Sequence, residues 1–126
     1  MSYAAAVRQY QSASSIGAAA DASPHKLVEM LYAGALERLA GARGALMRGD
    51  VAAKARLIGG AVGIVEHLRL CLDREAGGAL ASNLDALYEY MTHRLLKANA
   101  ENDIAALDEV LRLVREIHGA WEGIAR

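Results

Sequence analysis

The sequence predicts an all-α protein: an antiparallel four-helix bundle preceded by a short N-terminal arm or helix. Three observations predict it. First, hydrophobic residues make up 54% of the chain, much of it alanine, with no phenylalanine and a single proline, Pro24. Alanine is the best helix former and adds little bulk, so helices can lie close together. Second, large apolar residues recur at steps of three and four in four successive stretches, the spacing of one helical face. Third, the breaks between these stretches are short and carry helix stop and start residues. Four long helices on short connections default to an antiparallel bundle. At 126 residues one domain is expected, and no repeat of ~20–50 residues subdivides it.

Residues 1–22 read as an arm. Tyr3, Val7 and Tyr10 fall on one face of a short helix, and Ile16 is the only large apolar residue in the Ser-, Ala- and Gly-rich stretch 11–22. Such a segment is either mobile or docked as a light cap. Residues 23–126 form the bundle.

The first bundle helix is expected over about 23–48. Ser23 is its N-cap and Pro24 its first residue. Leu27, Val28, Leu31, Tyr32, Ala35, Leu39, Ala42 and Leu46 carry its apolar side. Arg48 and Gly49 close it, and Asp50 caps the next helix. The tripeptide 48–50 looks like an integrin ligand, but a helix stop followed by a helix start explains it.

The second helix is expected over about 51–73, with Leu57, Ile58, Ala61, Ile64, Val65, Leu68 and Leu72 on its apolar side. Gly59, Gly60 and Gly63 interrupt it, each costing about 1 kcal/mol against alanine. Close backbone approach by another helix is the expected compensation, from a bundle neighbour or from a partner helix in a shallow groove. Gly77-Gly78 marks a turn. The third helix follows over about 79–100, with Leu80, Leu84, Leu87, Met91, Leu95 and Ala98 on one stripe. Tyr88 and Tyr90 flank that stripe, and Tyr88 is expected to pack. The fourth, about 103–124, starts at Asn102-Asp103 and carries Ile104, Leu107, Leu111, Val114, Ile117 and Trp121. Glu109 and Arg112 are spaced for a weak surface ion pair.

Reaction chemistry is hard to find in this chain. The formal net charge is −1 with no basic stripe, which argues against nucleic acid. No apolar run approaches the ~20 residues of a membrane span, and the N-terminus does not read as a signal peptide. One cysteine, Cys71, excludes an internal disulfide and suits a reducing cytoplasm. A cytoplasmic protein without membrane insertion is expected. Di-iron bundles use Glu-x-x-His pairs, but the residues three before His25, His67, His93 and His118 are Ala22, Ile64, Tyr90 and Arg115. His67 and Cys71 lie one turn apart, yet two ligands do not make a site, and Cys71 reads as a small buried thiol. His93, beside Arg94 and near Lys97, raises a phosphotransfer bundle, without the expected His-x-x-Lys-Gly pattern. No catalytic, cofactor-binding or metal-binding residue is assigned, and the chain is expected not to be an enzyme.

What remains is surplus apolar surface. Val28, Leu31, Tyr32, Ala35 and Leu36 span much of the first helix, and Leu57, Ile58, Ile64 and Val65 much of the second. An exposed face of this kind suits an amphipathic helix laid in a groove. Cover by the arm, or by a second copy in a homodimer, is the alternative.

At these residues the sequence resembles the FliS family, the flagellar export chaperone for flagellin. Tyr10 sits in the arm, followed by the run 22–32, Ala-Ser-Pro-His-Lys-Leu-Val-Glu-Met-Leu-Tyr, and Gly34-Ala35. Gly49-Asp50, Leu72-Asp73, Gly77-Gly78, Asn83-Leu84, Leu87-Tyr88, Tyr90-Met91, Leu95-Leu96, Ala98-Asn99, Asn102-Asp103 and Trp121 continue the series. The departure is the glycine-rich stretch 58–64. The resemblance implies a cytoplasmic bundle that binds the disordered C-terminal segment of flagellin. It also implies that binding prevents premature polymerisation and that the loaded chaperone meets components of the flagellar type III export gate. The client becomes helical in apolar grooves, and the arm covers part of that surface in the free protein. The residues expected to carry binding are Tyr10 and Ile16 in the arm, with Leu31, Ala35, Leu57, Ile58, Ala61, Ile64, Val65 and Leu68 in the groove. No cofactor is implied. A metal- or phosphate-handling bundle centred on His67/Cys71 or His93, and a homo-oligomerisation module, are the competing readings.

Overall fold

The computed structural model describes residues 23–123. The predicted arm, with Tyr10 and Ile16, lies outside the described residues. Four helices follow one another: α1 Pro24–Arg48, α2 Val51–Leu70, α3 Arg74–Glu101 and α4 Ile104–Glu122. Among the described residues there is no strand, and the protein is an all-α four-helix bundle.

Every helix begins on a side-chain cap. The Ser23 hydroxyl accepts from the Lys26 N–H, and the carboxylates of Asp50, Asp73 and Asp103 accept from the N–H groups of Ala53, Ala76 and Ala106. Each cap satisfies a donor the first turn would leave unpaired. α1 ends at Gly49 and α3 at Asn102, both in the left-handed region. The tripeptide 48–50 is thus a helix stop and a helix start.

α1 packs chiefly on α2 and α4, and α3 on the same two helices. The largest fully buried side chains are Leu39, Ile58, Val65, Met91, Leu95, Leu107 and Val110. Ala35, Ala42, Ala61, Ala98 and Ala106 are buried between them and let the helices approach closely. Lys54 is the exception in this interior. Its ammonium donates to the Asn99 carbonyl at 2.8 Å and to the Asn102 side-chain oxygen. It therefore sits on the negative end of α3, where a cation is favoured. Lys54→Met is expected to lower unfolding free energy by about 1–3 kcal/mol, the cost of stranding a buried acceptor; urea denaturation measures it.

Three local expectations are corrected. α2 stops at Leu70, short of 73, because Asp73 is taken as the N-cap of α3. α3 starts at Arg74, ahead of the two glycines, so 77–78 is a kink within a helix. The kink is at Gly78, with φ 52° and ψ −125°, a conformation that only glycine adopts cheaply. Gly78→Ala is expected to cost about 1–3 kcal/mol, read as a fall in Tm. Gly59 and Gly60 do not serve close backbone approach. A Cβ at Gly59 meets nothing within 4 Å, and one at Gly60 meets the Arg38 side chain at 3.0 Å.

Ion pairs tie neighbouring helices. Arg43 of α1 meets Asp108 of α4 at 2.7 Å. Glu109 turns to Arg94 of α3, at 2.6 Å, instead of the Arg112 expected from spacing. Asp85 of α3 takes both Arg69 of α2, at 2.5 Å, and Arg74, at 2.9 Å, from across the kink. Hydrogen bonds from Arg69 and then Arg74 hold the Asp85 carboxyl well below the usual carboxylate range. A depressed acid adds stability above its unfolded value of about 3.9, and that stability is lost as pH falls towards the folded value. Asp85→Asn is therefore expected to lower Tm at neutral pH and to flatten the fall of Tm below about pH 4. Parallel slopes for the two proteins would contradict it.

Candidate functional site

The starts of α1 and α3 and the ends of α2 and α4 meet at one end of the bundle. There they leave an apolar groove of about 360 Å³, within the ~300–1,000 Å³ range of ligand sites. α1 contributes Val28 and Tyr32, α2 contributes Leu68, and α4 contributes Trp121. Cys71, Leu72 and Asp73 form the rim between α2 and α3, and the kinked start of α3 supplies Ala76, Gly77, Leu80, Ala81, Leu84 and Tyr88.

Helix periodicity explains why α3 opens this groove. Its core-facing residues are Ala81, Tyr88, Met91, Leu95 and Ala98. Of the stripe read from the sequence, Met91, Leu95 and Ala98 are fully buried, whereas Leu80, Leu84 and Leu87 towards the start of the helix are not. Leu84 is half-buried in the groove wall, and Leu80 is 65% exposed. The core position beside them is Ala81, too small to fill the space. Leu70, at the C-terminal end of α2, is exposed at the same end of the bundle.

Two tyrosines from opposite sides of the bundle meet in this groove. The Tyr32 and Tyr88 hydroxyls lie 2.5 Å apart, and both side chains are buried. Burial pushes both phenols above their ordinary pKa; for Tyr88 the neighbouring Tyr32 pushes the same way, whereas for Tyr32 the bond to Tyr88 pulls back. Both therefore remain neutral hydroxyls at physiological pH. Trp121 fixes the end of α4 on the start of α1: its ring stacks on His25 at 4.6 Å, and its indole N–H donates to the His25 carbonyl at 3.1 Å. Tyr90 stands on another face, where its hydroxyl donates to the Glu109 carboxylate.

The structure sorts the predicted binding residues. Ala35, Ile58, Ala61 and Val65 are in the core, Leu31 and Ile64 lie almost as deep, and Leu57 is half-buried against them. Leu68 is buried too, but it also lines the groove. The broad apolar faces of α1 and α2 are thus largely consumed by the bundle. The groove's other leucines, Leu72, Leu80 and Leu84, were not among the residues expected to bind; of these, Leu80 sits one step off the core position of Ala81.

Cys71 is exposed at the groove rim, a correction to its reading as a buried thiol. Partial burial of the sulfur pushes its pKa up, which disfavours the reactive thiolate. Desolvation lowers the pKa of His67. Among the described residues, the grouping with metal-ligand spacing is Glu29, His118 and Glu122, whose ligand atoms lie within 4.8 Å of one another; neither His67 nor Cys71 belongs to it. His93 is exposed, with Nε2 3.9 Å from the Glu89 carboxylate. No helix among the described residues is long and apolar enough to cross a membrane.

Known proteins carry the same pattern along nearly the whole chain. The family model described as "Flagellar protein FliS" matches residues 4–126. The flagellar secretion chaperone FliSB of Pseudomonas aeruginosa is 51% identical over 120 residues, covering 95% of each chain. The flagellar secretion chaperone FliS of Salmonella typhimurium is 43% identical over 123 residues, 97% of this chain and 91% of that one. Its Bacillus subtilis namesake is 34% identical over 101 residues, 80% of this chain and 74% of the relative. With a bundle of the expected class and a family match that spans it, the chain belongs to the FliS family of flagellar secretion chaperones.

Proposed function

We propose that this protein is a cytoplasmic export chaperone that captures the C-terminal disordered segment of flagellin. The observation that carries the reading is the apolar groove at the end of the bundle, with Leu80 exposed on its wall, in a member of a secretion-chaperone family. A flagellin tail with an apolar helical stripe self-associates when free. Laid in the groove as an amphipathic helix, it buries that stripe and cannot polymerise. Ordering it costs about 2–5 kcal/mol, so contacts extend beyond the groove along the bundle.

Of the residues expected to bind, Leu68 touches the client directly, together with Leu72, Leu80 and Leu84. Leu31, Ala35, Leu57, Ile58, Ala61, Ile64 and Val65 hold the groove wall from behind. Tyr10 and Ile16 of the arm compete for the same surface, which lowers apparent affinity by the fraction of closed protein. The loaded complex is what the export gate receives, and the chaperone performs no catalysis. Titration with flagellin bearing or lacking its C-terminal segment tests this. Binding is expected only with the segment present; equal binding to both would refute it.

A further inference from the structure

We infer that the Tyr32–Tyr88 pair selects the occupant of the groove by its hydrogen-bonding chemistry: an amphipathic helix carrying an uncharged side-chain acceptor, the carbonyl of Asn or Gln, between its large apolar residues. This rests on the reading of the groove as the flagellin site. Two hydroxyls carry two protons, and one suffices for the 2.5 Å bond between them. The second O–H has no acceptor among the described residues. It belongs to a pair of buried side chains that line the groove, so one or other of the two hydroxyls offers a donor among the groove's leucines.

Burial sets the sign and type of the partner. A buried donor gains most from an acceptor that brings no charge into an apolar site. Asp73 is the one charged residue among those lining the groove, and it disfavours a carboxylate. Apart from its last turn, the backbone carbonyls of a bound helix are occupied internally, so along its length the acceptor is a side chain. A purely apolar helix of the same shape would leave the donor unpaired and is rejected, which is how a shallow groove distinguishes one apolar segment from another.

The test uses the full chain, the C-terminal segment of its flagellin as probe, and three variants. Tyr32→Phe and Tyr88→Phe each strand one hydroxyl. Each is expected to lower Tm while keeping affinity within about threefold, because one donor remains. The double variant Tyr32→Phe/Tyr88→Phe strands nothing. Its Tm is expected to return to or exceed that of the wild type, while affinity for the segment falls about tenfold, equivalent to about 1.4 kcal/mol. Wild-type affinity in the folded double variant would overturn the inference. Leu80→Asp, run in parallel, separates the two claims: lost binding there with unchanged binding in the double variant rejects the tyrosine role alone, and unchanged binding in both rejects the groove as well.

Discussion

Leu80→Asp is expected to abolish capture of the flagellin segment and leave the bundle folded. Leu80 is 65% exposed in the free protein, so little core packing depends on it. It lies two residues beyond the Gly78 kink, in the first turn of the resumed helix, where an acidic side chain is tolerated or favoured. Unfolding free energy should therefore change by no more than about 0.5 kcal/mol. In the proposed complex the same position faces the client helix across an apolar wall. The aspartate removes the leucine's burial and places an unpaired carboxylate in the contact. Central anchors of this kind are worth about 2–4 kcal/mol, or roughly 30- to 1,000-fold in Kd. Fluorescence anisotropy of the labelled segment, with a melting curve on the same sample, checks both halves.

Leu107→Ala is expected to have the largest effect on stability. Leu107 of α4 is fully buried in the core shared by all four helices. Removing three carbons there leaves a cavity that close-packed neighbours fill poorly, and costs about 2–5 kcal/mol. Total stability of such domains is about 5–15 kcal/mol, so the variant sits near the unfolding threshold. Leu96→Ala is the control, since Leu96 is half exposed; it should move the urea midpoint only slightly. A similar loss from both would mean that Leu107 is not the core residue described.

The elements were legible where their signals are local. Ser23, Asp50 and Asp103 announce helix starts by side-chain chemistry that acts within three residues, and the structure shows those bonds. Asp73 sends the same signal, but Gly77-Gly78 sends the opposite one four residues later. The four residues 74–77 are helical where Asp73 caps them and Arg74 is held by Asp85, eleven positions away. A local reading cannot weigh that contact.

The candidate groove was less legible for a different reason. Ile58, Val65 and Leu80 obey the same periodicity, and periodicity does not distinguish a face turned to the core from one turned to a partner. The distinction comes from where four helix ends meet, from the small Ala81 between larger neighbours, and from a kink whose φ is invisible in the sequence. The Tyr32–Tyr88 bond joins residues 56 positions apart and has no local signature. What the sequence did disclose was the family, because a series of weak motifs in fixed order is specific even where each alone is not.

The central claim, that the client occupies this groove, is tested most directly with the chain's own thiol. Cys71 is exposed at the groove rim and is the only cysteine in the sequence, so no substitution is needed to report on the site. The rate of Cys71 alkylation is measured with and without a saturating flagellin C-terminal segment, at occupancy confirmed by anisotropy. A seated helix should slow labelling at least tenfold, the effect of a site covered nine-tenths of the time or more. An unchanged rate at full occupancy would place the client elsewhere on the bundle.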